Sequence, residues 1–139
     1  MTDSNDLQRF IDAQVRDFPI ALSEIKSARK RSHWMWYIFP QIKGLGFSDT
    51  ARFYALKDVR EATDYLRHPV LGERLVRISA ELLKLESSDA RAVFGSPDDL
   101  KLRSCMTLFS LLPDSDPVLD KVLVKFFGGV KDEKTVQII

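Results

Sequence analysis

The chain has 139 residues, of which 45% are hydrophobic and 29% are charged. This length suits one domain, and the composition is that of an ordinary globular protein, which excludes collagen-like, disordered and membrane-spanning classes. The 21 basic and 20 acidic side chains leave a net charge of +1, which disfavours duplex nucleic acid as a partner. We therefore expect a single helical domain over residues 1–139.

Cysteine and histidine are scarce, which limits disulfide and metal chemistry. Cys105 is the single cysteine, so an internal disulfide is excluded. The first residues show neither the basic nor the apolar region of a secretory signal, and we expect a cytoplasmic protein. His33, His68 and Cys105 are too widely spaced for a zinc pattern, so we expect no metal and no cofactor.

Helix-start and helix-stop signals recur along the whole chain. Ser4 and Asn5 are N-cap candidates for a first helix that reaches Phe18, and Pro19 is predicted to open a second helix. Further start signals are Ser48, Asp58, Pro69, Asp89, Ser96-Pro97, Asp116-Pro117 and Asp132, and the stop signals are Gly95 and Gly128. The helix after Pro97 is predicted to run to Leu112. No run alternates long enough to indicate a strand, so we predict an all-α, compact bundle of about seven to nine short and medium helices.

Residues 32–47, which we call the aromatic segment, break this pattern because they hold both tryptophans. One interpretation places the segment in the core, with Pro40 ending a short helix. The other interpretation is a pocket wall, because aromatic rings with a few polar groups are typical of small-molecule sites. In that case the candidate ligand-binding residues of the segment are Trp34, Trp36, Tyr37, Gln41 and Lys43.

Two clusters of charged residues could add to such a pocket. The basic run from Lys26 to Arg31 is either a solvated helix end or a rim that attracts anions. Asp99 and Lys101 lie at the start of a predicted helix, where they either cap the helix or anchor a ligand. Lys101 joins the ligand-binding candidates for this reason.

Three residues are weak candidates for acid–base catalysis. His33 carries an imidazole, a common general acid or base in enzymes, and Glu61 and Asp99 are carboxylates of the kind that stabilise an oxocarbenium ion in glycosidic cleavage. A structural role is the alternative for each of them.

Three stretches together carry a resemblance to a known family. They are Ser32 to Gln41 with Gly44-Leu45-Gly46, then Glu61 to Leu75 with His68-Pro69, and then Gly95 to Phe109 with Lys101-Leu102 and Met106-Thr107-Leu108. The chain resembles the bacterial family called domain of unknown function 1810, over about residues 5 to 138. Some members carry the label calpastatin, which we consider a mislabel. The resemblance implies a small, mainly helical protein without an established reaction.

The order of these motifs is also similar to that of the NADAR family. The matching positions are His33-Trp34, Glu61-Ala62 and Lys101 with Met106, whereas the acidic and tryptophan-glycine features near that family's C-terminus are not found here. This likeness implies chemistry on the N-glycosidic bond of ADP-ribose compounds.

Three functions are consistent with the sequence. The first is binding of a small anionic, nucleotide-like or ADP-ribose-like ligand in an aromatic pocket, with N-glycosidic hydrolysis as an added activity. The alternative is a non-enzymatic protein-interaction module. Weak binding of single-stranded nucleic acid ranks third, and the sequence leaves a homo-oligomer open.

Overall fold

The computed structural model describes residues 6–139, and this part of the chain forms nine α-helices without a β-strand. The predicted all-α fold is thus confirmed. Ile42 and Leu56 form an isolated parallel bridge. No helix in the described part is long and apolar enough to cross a lipid bilayer. The helices are α1 Gln8–Lys26, α2 Met35–Ile38, α3 Asp49–Tyr54, α4 Val59–Arg67, α5 Leu71–Leu83, α6 Ala90–Phe94, α7 Asp98–Ser110, α8 Pro117–Phe127 and α9 Glu133–Ile138.

Helix α7 lies at the centre of the packing. It contacts α4, α6, α8 and α9, while α5 packs against α1, α4 and α8. Tyr65 of α4 joins two other rings in the core, with ring centroids 5.1 Å from Phe10 and 5.4 Å from Phe109. Burying side chains of this size contributes about 1.5 to 3 kcal/mol each. Cys105 is also buried here, and burial raises the pKa of its thiol well above the ordinary value.

The N-caps follow the local chemistry of the sequence. Five predicted start residues accept a hydrogen bond from a backbone N–H two or three positions ahead, namely Ser48, Asp58, Asp89, Asp116 and Asp132. Gly95 and Gly128 end their helices with φ values of 77° and 61°, which side chains other than glycine rarely adopt. The predicted caps Ser4 and Asn5 lie outside the described residues.

Two helix boundaries differ from the prediction. Pro19 does not open a new helix but lies inside α1. Both Pro19 and Val15 are exposed, so the carbonyl that loses its i→i−4 bond faces water. Helix α7 ends at Ser110 rather than at Leu112, because Pro113 disfavours helical geometry at the residue before it.

Glu24 fixes the aromatic segment to α1. Its carboxylate accepts hydrogen bonds from the N–H groups of Arg31 and Ser32 at 2.8 and 3.0 Å, from the Ser32 hydroxyl, and from Trp34 Nε1 at 2.9 Å. Burial alone would raise the pKa of Glu24, but these bonds favour the ionised form and lower the pKa to about 2. The hydrogen-bond donors around Glu24, including Trp34 Nε1, therefore favour a charged carboxylate at this position.

We expect the E24Q variant to lose about 1 to 3 kcal/mol of unfolding free energy near neutral pH, because an amide NH₂ group would face hydrogen-bond donors. Since the folded-state pKa lies below the ordinary 4.5, the contribution of Glu24 is present above that value and is lost as the pH falls toward 2. Urea unfolding at neutral and acid pH measures both effects. E81Q, which removes a surface pair with Lys84, is the control, and equal losses in the two variants would contradict the role of Glu24.

Candidate functional site

The aromatic segment turns its two tryptophans in different directions. Trp34, the residue before α2, is 0% exposed and packs against Phe39 and Phe94 at ring-centroid distances of 6.1 and 6.3 Å. Trp36, in the first turn of α2, is half-buried. Residues two positions apart in a helix lie on roughly opposite sides of the axis. One tryptophan therefore belongs to the core, and the other is open to the surface.

Asp98, the first residue of α7, forms ion pairs with two lysines, and each lysine lies over one of the two tryptophans. Its Oδ2 lies 2.9 Å from Lys30 Nζ, and its Oδ1 lies 3.1 Å from Lys101 Nζ. Lys30 Nζ is 4.9 Å from the centre of the Trp34 ring, and Lys101 Nζ is 4.7 Å from the centre of the Trp36 ring. Burial raises the pKa of Asp98, but the two ammonium groups outweigh it, so the pKa is lowered. We call these five residues the Asp98 clamp.

A cleft of about 320 Å³ opens beside Trp36. It lies between α2, the loop before α3, the first half of α7 and the start of α9. Its lining residues are Trp36, Gln41, Leu45, Gly46, Ala51, Pro97, Leu100, Lys101, Ser104, Asp132 and Lys134. The structure thus brings together three of the predicted ligand-binding residues, Trp36, Gln41 and Lys101.

The cleft carries an excess of positive charge. In the Asp98 clamp, two ammonium groups share one carboxylate. The Asp132 carboxylate is balanced by Arg103, whose Nη2 lies 3.8 Å from Asp132 Oδ1. Lys134 makes no ion pair with any described residue, and its Nζ lies 5.9 Å from the centre of the exposed Phe47 ring. This balance suits an anion rather than a cation.

Gln41 offers a hydrogen-bonding group that the protein does not use. Its backbone carbonyl accepts a bond from the N–H of Leu56, but its side-chain amide has no partner among residues 6–139. The adjacent hydroxyl of Ser104 is largely buried and donates to the carbonyl of Leu100. The amide can therefore donate to and accept from a ligand in the cleft.

The other predicted residues of the aromatic segment lie elsewhere. Tyr37 faces a separate hollow beside α1, where its hydroxyl donates to Asp17, and burial together with this bond raises the pKa of Tyr37. His33 is exposed and contributes its backbone carbonyl as an acceptor for the Tyr37 hydroxyl. Lys43 is exposed and does not line the cleft. The ligand roles of Trp34, Tyr37 and Lys43 stay predictions.

The two carboxylates among the catalytic candidates are not in the cleft lining. Glu61 is buried in an ion pair with Arg9 at 3.0 Å and also accepts the N–H of Lys57. Asp99 lines a different hollow on the α8 side of α7. Their catalytic roles, and that of His33, stay predictions.

Asp132 and Lys134 are the charged cleft residues that sequence reasoning missed. The N–H of Asp132 donates to Thr107 Oγ1 at 2.9 Å, which fixes the start of α9 against α7. The sequence signal at Asp132 is its capping pattern, and that pattern predicts a helix start without saying what the helix faces.

We expect D98N to lower the free energy of unfolding by about 2 to 4 kcal/mol, because two largely buried ammonium groups would lose their carboxylate. Since the pKa of Asp98 is lowered in the fold, the contribution is present above the ordinary aspartate range and is lost as the pH falls through the folded-state pKa. Denaturant unfolding at neutral and acid pH measures it. D114N, which removes an exposed pair with Arg67, should lose under about 1 kcal/mol; a D98N loss no larger than this would disprove the clamp.

Comparison with known proteins agrees with the sequence resemblance. A crystal structure of the conserved hypothetical protein Rv1873 from Mycobacterium tuberculosis matches with a TM-score of 0.95 and 39% identity, over 99% of this chain and 98% of that one. No curated protein matches the chain. The family described as "Protein of unknown function (DUF1810)" matches residues 4–139. The chain therefore belongs to the DUF1810 family.

Proposed function

We propose that the cleft beside Trp36 binds a small anionic ligand with a planar ring, of the nucleotide class. The observation that carries this proposal is the pairing of Lys101 with Trp36, whose ring centre lies 4.7 Å from the ammonium group at the wall of the cleft. An aromatic surface and a fixed cation side by side match a base and a phosphate.

The size of the cleft supports the proposal. A volume of about 320 Å³ lies at the lower end of the range for small-molecule sites, about 300 to 1,000 Å³. The apolar part of the lining includes Leu45, Ala51 and Leu100, with a few polar groups placed among them. The apolar residues can pack against a planar ring, and the polar groups can hydrogen-bond to its polar edge.

The polar groups divide the cleft into two functional parts. Lys101 and Lys134 attract the anionic group, and because Lys101 is held by Asp98 its position is set before a ligand arrives. The part of the Trp36 ring that Lys101 leaves uncovered provides the stacking surface, and the Gln41 amide provides a donor and an acceptor for the edge of the ligand's ring. Both parts are required for tight binding.

The proposal is limited to binding. Hydrolysis of an N-glycosidic bond needs a carboxylate beside the ligand. Asp132 lines the cleft, but its Oδ2 caps α9 and its Oδ1 faces Arg103. Hydrolysis, the NADAR likeness and the protein-interaction alternative therefore stay predictions from the sequence.

We expect AMP to raise the melting temperature in a thermal-shift titration, because a ligand that binds the folded state stabilises it by mass action. Adenosine and inorganic phosphate should each bind about tenfold or more weakly, since each engages one part of the cleft. W36L should weaken AMP binding about tenfold, which is the size of a lost base-stacking contact. Isothermal titration calorimetry gives the affinities.

Two lysine variants distinguish AMP binding in this cleft from AMP binding by general surface charge. K134Q should weaken AMP binding, whereas K43Q removes an equal charge outside the cleft and should leave the affinity unchanged. Melting temperatures without ligand show whether each variant is folded. Absence of an AMP-dependent shift, or equal effects of K134Q and K43Q, would reject the proposed site.

A further inference from the structure

A second hollow lies on the opposite side of Leu100, between α6, α7 and α8. It has a volume of about 610 Å³ and is open to solvent. Leu100 is 50% exposed and borders both the cleft and this hollow. The lining of the hollow includes Phe126, Phe127 and the half-buried Asp99.

Asp99 is a carboxylate without a partner in the described part of the chain. Its Oδ1 is fully buried and accepts no hydrogen bond, and Asp99 forms no ion pair within residues 6–139. Its neighbour Asp98 engages two lysines. A sheltered carboxylate acts through a medium of low dielectric constant, so its attraction for a cation exceeds that of an exposed one.

No cation of residues 6–139 forms an ion pair with Asp99. Lys125 Nζ donates to the carbonyls of Leu83 and Leu85 and lies 5.4 Å from the centre of the Phe126 ring. Arg103, one turn along α7 from Asp99, directs its Nη2 toward Asp132, and its Nε is buried without a hydrogen-bond partner in the described residues. Arg91 lines the hollow but forms no ion pair within residues 6–139.

We propose that this hollow binds an organic cation, an ammonium or guanidinium group on an apolar stem. The carboxyl of Asp99 supplies the charge, the partly exposed ring of Phe127 attracts a cation through its face, and Leu100 packs against the stem. A hard metal ion fits poorly because it needs several oxygen ligands, and no metal-holding group of three His, Cys, Asp or Glu occurs in the described residues. The hollow uses none of Trp36, Gln41 and Lys101.

Two sources share this chemistry: a free alkylamine, and a lysine or arginine side chain on another protein. The probes for the free source are n-butylammonium and n-butylguanidinium, and the probe for the side-chain source is N-acetyl-lysine amide. n-Butanol is the neutral control because it has the same apolar stem.

The test is a titration of the ¹⁵N-labelled full chain, followed by amide chemical shifts. We expect saturable shifts centred on residues 88–91 and on Phe126 and Phe127, with dissociation constants of about 1 to 10 mM and about tenfold weaker binding of n-butanol. The cation with the lower dissociation constant identifies the source. AMP should leave these signals unmoved, so failure of the cleft proposal does not affect this result.

Variants at single carboxylates assign the binding to Asp99. D99N should weaken cation binding about tenfold or more, and D99E, which keeps the charge, should restore most of it. D120N removes an equal charge from an exposed position of α8 outside the hollow and should have no effect. The free-state spectra show whether each variant is folded. Equal binding of n-butanol, equal effects of D99N and D120N, or shifts that never saturate would overturn the proposal.

Discussion

The structure of the site depends on one carboxylate that neutralises two cations. Asp98 joins Lys30, in the basic run, to Lys101, one turn along α7, and each ammonium lies over a different tryptophan. Lys30 is 7% exposed, and Asp98 supplies the opposite charge that offsets the cost of burying its ammonium group. The same contact brings α7 against the aromatic segment. The cleft lies beside this contact, between the aromatic segment and α7.

The aromatic segment combines two roles that the sequence presented as alternatives. The side chains of Trp34, Met35, Ile38 and Phe39 are buried, as a core segment requires. Trp36 and Gln41 are partly open and line the cleft. Trp36 points away from the buried side chains of α2 because successive residues of a helix are spread around its axis. Glu24, which holds Trp34 from the α1 side, thus supports the cleft without lining it.

Much of the fold follows from local chemistry that can be read along the chain. N-caps such as Asp58 and Asp116 act over two or three residues, so their pattern predicts where a helix starts. The continuation of α1 through Pro19 was missed because it depends on which face of the helix meets water. Trp36 and Lys101 could be predicted as ligand-binding residues from their residue types alone. Asp132 and Lys134 could not, because their place in the cleft depends on a contact between Asp132 and Thr107, 25 residues earlier.

The two tryptophans lie in different environments and can serve as two intrinsic fluorescence probes. The indole of Trp34 is sealed from water and hydrogen-bonded to a carboxylate, so its emission follows the integrity of the core. The indole of Trp36 meets solvent at the cleft and lies against an ammonium group, so its emission responds to whatever occupies that space. A collisional quencher such as iodide reaches the second ring and not the first. Occupancy and unfolding can therefore be followed separately in the same unlabelled sample.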